Sequence, residues 1–141
     1  EAAGVWFWQT ERSQGRVPEE AKESWTAQML AGAKQSRNPW LPETRVLPGG
    51  ARELAQAGQA YPRRFVLWET AGQDRRIDLD TLRGPEHALF VLGPEGGLTA
   101  AEVQTLEAAG FVTATLGQRV LRWETAALLC LGLSWWANQD V

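Results

Sequence analysis

Two short apolar runs, Arg64–Trp68 and Ala88–Leu92, constrain the fold more than any other feature of the chain. Continuous apolar runs of this length fit strands buried on both faces, as in a parallel sheet. A sheet of that kind needs helices to cover it, so the segments around the two runs must supply them.

The surrounding sequence supplies them in alternation. Val5–Gln9 is apolar and aromatic and predicts a strand, and Glu11–Arg16 is a polar loop. Pro18 suits a helix first turn, with Glu19 and Glu20 favouring the N-terminal dipole. The predicted helix runs to about Ser36 and ends before Asn38-Pro39. Pro42 to Gly50 reads as irregular, with a short strand at Arg45–Leu47, and Arg52–Gln56 as a short helix. Ala71 to Glu86 is a polar loop. Ala100–Ala109 predicts a helix stopped by Gly110, Phe111–Leu116 a strand, and Glu124–Ala137 a final helix that is apolar on nearly every side. Strand and helix alternate, so the expected class is α/β. The first ten residues, EAAGVWFWQT, read as a helix tail, a stop at Gly4 and then a strand. They begin with Glu1 rather than methionine, so the chain is expected to start inside a larger protein.

Composition excludes several classes. The 141 residues are enough for one domain, and 44% hydrophobic residues is ordinary for a globular one. No apolar run reaches the roughly 18–20 residues that span a bilayer, and nothing at the start resembles a signal peptide. One cysteine, Cys130, excludes an internal disulfide and fits a reducing, cytoplasmic compartment. One histidine and one cysteine cannot make the usual zinc site, so no metal is expected. Cys130 lies in an apolar run and reads as core. A net charge of −3 does not mark a dedicated nucleic-acid binder. Lys22 and Lys34 are the only lysines, so the positive charge is mostly arginine, which prefers planar, bidentate partners.

Ligands of open α/β sheets bind beyond the carboxyl ends of the strands. Two loops hold that position, Gly93–Leu98 and Gly117–Trp123. In the first, Gly93-Pro94-Glu95-Gly96-Gly97 precedes a capping box made by Thr99 and Glu102. Free N–H groups at such a helix start can take an anion. The lysine of a phosphate-binding P-loop is missing, however, and Glu95 would repel a polyphosphate. A carboxylate suits hydroxyl or amino donors, such as a ribose edge, and Gly96 and Gly97 permit close approach by a ligand. The competing explanation is a tight strand-to-helix turn with no ligand. In the second loop, Arg119 and Arg122 bracket two aliphatic residues before Glu124-Thr125 opens a helix. Always protonated, these arginines can hold phosphate or a developing anion. Equally, they can form structural ion pairs with Glu95, Glu102 or Glu124.

The combination of GPEGG, the Thr-x-x-Glu after it, and LGxRxLRxETAA resembles the SPOUT-class methyltransferases that modify 16S rRNA at uridine N3. Glu11-Arg12-Ser13 is similar to that family's ERS loop, and Ala33-Lys34-Gln35-Ser36-Arg37 with Pro42-Glu43 to its AAKQS…R…PE segment. The serine-asparagine motif of the ribose-methylating SPOUT enzymes is not found. Trp123, Gln118 and Ala31 depart from the family pattern, which more often has Thr or Ala, proline and glutamate at these positions.

The resemblance implies a mostly parallel sheet with helices on both faces and a C-terminal deep trefoil knot. The knot would hold S-adenosyl-L-methionine against Leu92, Gly93, Pro94, Glu95, Gly96, Gly97, Leu116, Gly117, Arg119, Val120 and Leu121. It implies methyl transfer to uridine N3, with Arg119 or Arg122 stabilising the uracil anion and Glu124 as a weak candidate for the base. Arg12 and Arg37 would contact RNA. The implied partners are 16S rRNA or the small ribosomal subunit and a second copy of the chain, with Trp135 and Trp136 either in that interface or in the chain's own core. All of 1–141 is expected to be a SPOUT domain truncated at its N-terminus, without the family's PUA-like RNA-binding barrel. Other readings are a SPOUT enzyme acting on ribose or another base, and a SPOUT-like module without catalysis.

Overall fold

The computed structural model describes residues 2–139. Strands and helices alternate as β1 (Gly4–Trp8), α1 (Glu23–Ser36), β2 (Glu43–Leu47), α2 (Gly50–Ala57), β3 (Arg63–Leu67), α3 (Leu79–Leu82), β4 (Ala88–Val91), α4 (Ala100–Ala108), β5 (Val112–Ala114) and α5 (Trp123–Ala137). Every strand pair is parallel, which the βαβ-type connections require. The pairing divides into two sheets, β1–β2 and a three-stranded sheet of order β4-β3-β5. Phe65 of β3 faces Phe90 on one side and Val112 on the other. The indole of Trp8, at the end of β1, donates to the Leu92 carbonyl just past β4 (3.3 Å) and ties the two sheets together.

Alternation along the central strands sorts their side chains onto two faces. Val66, Val91 and Leu89 join Leu54, Val103 and Leu106 in a core beneath α2 and α4. Phe65, Leu67, Ala88 and Phe90 join Leu82, Cys130 and Ala137 in a second core beneath α3 and α5. Only β3 has the deep burial expected of both apolar runs: Phe65, Val66 and Leu67 are all buried, whereas Ala88, Leu89 and Phe90 of the sheet-edge strand β4 are half-buried. Beyond Leu67 the ladder continues, because the N–H of Trp68 donates to the Ala114 carbonyl (3.0 Å).

Some expectations fail. α1 begins at Glu23, five residues after Pro18, because Gln9 fixes the preceding loop in place. Its side chain accepts from the N–H of Val17 (2.8 Å) and donates to the carbonyls of Gly15 and Thr10. Ala2 and Ala3 form no helical turn before β1, and Glu1 lies outside the described residues. The loop expected from Ala71 to Glu86 contains the single helical turn α3, started by the Asp78 side chain accepting from the N–H of Thr81 (2.7 Å). Trp135 and Trp136 are 56% and 65% exposed, so they do not belong to the chain's own core. Nor does Leu128, on the same outer side of α5. No helix among the described residues is long and apolar enough to cross a membrane.

Cys130 is buried at 2% exposure, and burial pushes its thiol up to about 11. The folded state therefore holds the proton after an unfolded thiol would have released it. The stabilisation is complete below the ordinary thiol value of 9.0 and is lost as pH rises from there towards 11. A thiol reagent at pH 8 is expected to label Cys130 only at the rate of unfolding; labelling as fast as in denaturant would contradict the burial.

Candidate functional site

The glycine loop leaves β4 and turns back at once, with the N–H of Gly97 donating to the Pro94 carbonyl (2.8 Å). Gly97 lies in the left-handed region at φ 73°, and a β-carbon there would collide with the carboxylate of Glu69. α4 then starts with the predicted capping box. The Thr99 hydroxyl accepts from the N–H of Glu102 (3.2 Å), and Glu102 Oε2 accepts from the N–H of Thr99 (2.9 Å). The other oxygen, Oε1, accepts from the N–H of Glu11 (2.8 Å). Arg12 follows this anchor and donates from Nη1 to the Gly96 carbonyl (3.0 Å). One buried carboxylate thus holds both the glycine loop and the Glu11-Arg12-Ser13 loop.

The second loop leaves β5 on the opposite flank of β3 and is pinned by Thr115. The Thr115 hydroxyl accepts from the N–H of Gly117 (3.2 Å) and donates to its carbonyl (3.0 Å). At φ 134° Gly117 needs to be glycine, and a β-carbon there would meet open space. The two loops enclose a cavity of about 230 Å³ at the carboxyl ends of β3, β4 and β5. A larger cleft of about 480 Å³ lies along the edge of β5, lined by Asp74, Arg75, Arg76 and Glu107. The smaller cavity is the better candidate, because it sits at the strand ends and both loops open onto it.

The cavity wall carries two carboxylates, Glu69 and Glu95, and two guanidinium groups, Arg119 and Arg122. The ion pairs found among the described residues lie elsewhere: Arg45–Glu43, Arg75–Glu107 and Arg83–Asp80. The structural pairing of Arg119 or Arg122 with Glu95, Glu102 or Glu124 is therefore not formed there. Among the described residues, no group of three or more His, Cys, Asp or Glu is arranged to hold a metal ion.

Residues 1–135 match the RNA methyltransferase domain family. The chain belongs to that family. It is 33% identical over 107 residues to the ribosomal RNA small subunit methyltransferase E of Mesomycoplasma hyopneumoniae, covering 76% of this chain and 45% of that protein. Identity to the Bacillus subtilis protein of the same name is 35% over 116 residues, covering 78% and 44%. A crystal structure of the Neisseria gonorrhoeae protein of that name, bound to S-adenosyl methionine, superposes with a TM-score of 0.69 at 30% identity, covering 94% of this chain and 54% of that one. The chain thus spans about half the length of these relatives.

In this RNA methyltransferase domain, most of the residues singled out from sequence meet at one place. Leu92, Gly93, Pro94, Glu95 and Gly97 line the cavity from one side, and Leu116, Gly117, Arg119, Val120, Leu121 and Arg122 from the other. Gly96 is not on the wall, and a β-carbon there would crowd Arg12. Glu124 is exposed in the first turn of α5, also off the wall. Arg37 ends α1, where its own N–H donates back to the Lys34 carbonyl, and takes no part in the cavity. His87 precedes β4, at the far end of that strand from the cavity.

The sequence reading missed Trp68 and Glu69, which follow β3 and complete the wall. The strand-end rule that found the other two loops points to them as well. The domain also has little room at Gly93, where a β-carbon would stand 2.8 Å from Cγ of the buried Leu98. Gly93→Ala is expected to destabilise the fold by about 1–3 kcal/mol through overpacking, read by denaturant unfolding. An unchanged midpoint would show that Leu98 moves aside freely.

Proposed function

We propose that this chain forms the cofactor-binding and catalytic part of a methyltransferase that uses S-adenosyl-L-methionine to methylate N3 of a uridine in 16S rRNA of the small ribosomal subunit. The observation that carries this reading is the meeting of the glycine loop and the arginine loop around one cavity whose carboxylates and guanidiniums form no ion pair among the described residues. That charge set fits the cofactor. Glu69 and Glu95 suit its ammonium and ribose donors, the open space beside Gly117 allows close approach, and no polyphosphate-binding lysine is needed. Bound there, S-adenosylmethionine supplies a methyl group on a positively charged sulfur, open to attack by a nitrogen lone pair.

The residues of the chain position and stabilise. Arg119 and Arg122 stabilise the charge that spreads over O2, N3 and O4 of uracil once the N3 proton has passed to solvent water. Walls built from two loops and the end of β3 hold the reactants in line. Glu124 favours the N-terminal dipole of α5 by its position. Arg12, donating to Gly96 with one arm of its fork, keeps further N–H groups for RNA phosphate; Arg37 is exposed and available for the same role. The uncovered apolar side of α5, with Leu128, Trp135 and Trp136, suits a homodimer. The strand order β4-β3-β5, with a loop from each flank closing one cavity, is compatible with a trefoil knot. A single buried cysteine fits a cytoplasmic enzyme.

Two experiments test the proposal. Calorimetry with S-adenosylmethionine is expected to show one site per chain; no binding to the intact protein would leave a non-catalytic module as the answer. Labelled cofactor and unmodified small subunits are expected to give label in 3-methyluridine after digestion. Label on a ribose or on another base would assign a different SPOUT reaction.

A further inference from the structure

Trp123 opens α5. It lies three residues before Ala126 and seven before Cys130, on the buried stripe of α5 rather than on the bare stripe of Leu128, Leu131 and Trp135. Yet it belongs to neither hydrophobic core, pairs with no other aromatic ring among the described residues, and is 42% exposed. The reason is its place: at the first turn the inward stripe has run past the core and reached the cavity, whose wall Trp123 shares with Arg119, Arg122 and Glu69. A large π-surface is thus held, partly exposed, beside two guanidiniums that form no ion pair among the described residues.

An enzyme that modifies a base at its pairing edge must take that base out of any stack it is in. The ring then needs a new face to lie against, and aromatic side chains provide one. Building on the methyltransferase reading, we infer that Trp123 is the stacking platform for the target uracil, holding the plane of the ring while Arg119 and Arg122 face its oxygens. The glycine loop and the backbone of Leu116–Leu121 are left for the cofactor.

The test uses the intact protein with S-adenosylmethionine and unmodified small subunits. Trp123→Phe keeps an aromatic face, and Trp123→Leu keeps apolar bulk without one. The expected result is a KM for the subunit raised about 10- to 100-fold in the Leu variant and less than about 3-fold in the Phe variant. Cofactor affinity by calorimetry and sedimentation behaviour should match the wild type in both. A Leu variant with wild-type KM would show that the ring only fills space and would overturn the inference. A loss of cofactor affinity would assign the ring to adenine, and a change in oligomeric state would assign it to a subunit interface; each overturns it too. If the wild-type protein transfers no methyl group at all, the methyltransferase reading itself falls, which separates the two failures.

Discussion

Arg119→Ala is expected to lower kcat by about 100- to 1,000-fold, the range seen when a donor aimed at developing charge is removed. Arg122→Ala should behave alike, and both variants should bind S-adenosylmethionine within about 3-fold of wild type if the arginines act on uracil rather than cofactor. The absence of ion pairs for either residue among the described residues makes the prediction sharp. A structural arginine would show its loss as instability, whereas these side chains are exposed and pair with no carboxylate among the described residues. Arg119→Lys keeps the charge but not the planar fork, and an intermediate rate is expected. Single-turnover kinetics at saturating cofactor is the measurement. Normal rates in both alanine variants would remove the arginines from the chemistry.

Glu102→Ala is expected to destabilise the fold by about 1–3 kcal/mol, combining a lost capping-box partner with two part-buried N–H groups that lose their acceptor. Glu102 is 4% exposed and accepts from the N–H groups of both Thr99 and Glu11. Denaturant unfolding reads the loss. The same substitution frees the Arg12 loop from the glycine loop, so proteolysis near Glu11 should speed up before the global transition. Glu102→Gln can still accept with its one carbonyl oxygen and should recover part of the stability. If Glu102→Ala unfolds like the wild type, the carboxylate does not join the two loops.

The expected ladder of strands and helices was legible because hydrophobic periodicity is a local signal, and the deep burial of β3 follows from its run of apolar residues. The capping box at Thr99 and Glu102 was readable for the same reason: both partners lie within one helical turn. The second bond of Glu102, to Glu11, spans most of the chain and leaves no local trace. Pro18 misled because a good first-turn residue is not a start when Gln9 fixes the preceding loop. α3 was missed because one turn carries no periodicity, only the cap of Asp78. At the site, motif spacing pointed to two loops but passed over Glu69, which carries no glycine signature. Its place beside the glycine loop shows only in the structure, where a β-carbon at Gly97 would meet its carboxylate.

The order β4-β3-β5 makes the proposed ligand a clasp. β5 has three residues and only one named strand beside it, so its edge should open more readily than the centre of the sheet. A molecule held by one loop from β4 and another from β5 closes that edge across the carboxyl end of β3. Amide hydrogen exchange at Val112 and Ala114, whose N–H groups face β3, should therefore slow when the ligand binds, more than exchange in β1 or β2. Occupancy of the pocket and the integrity of the sheet become one equilibrium, read from two backbone amides.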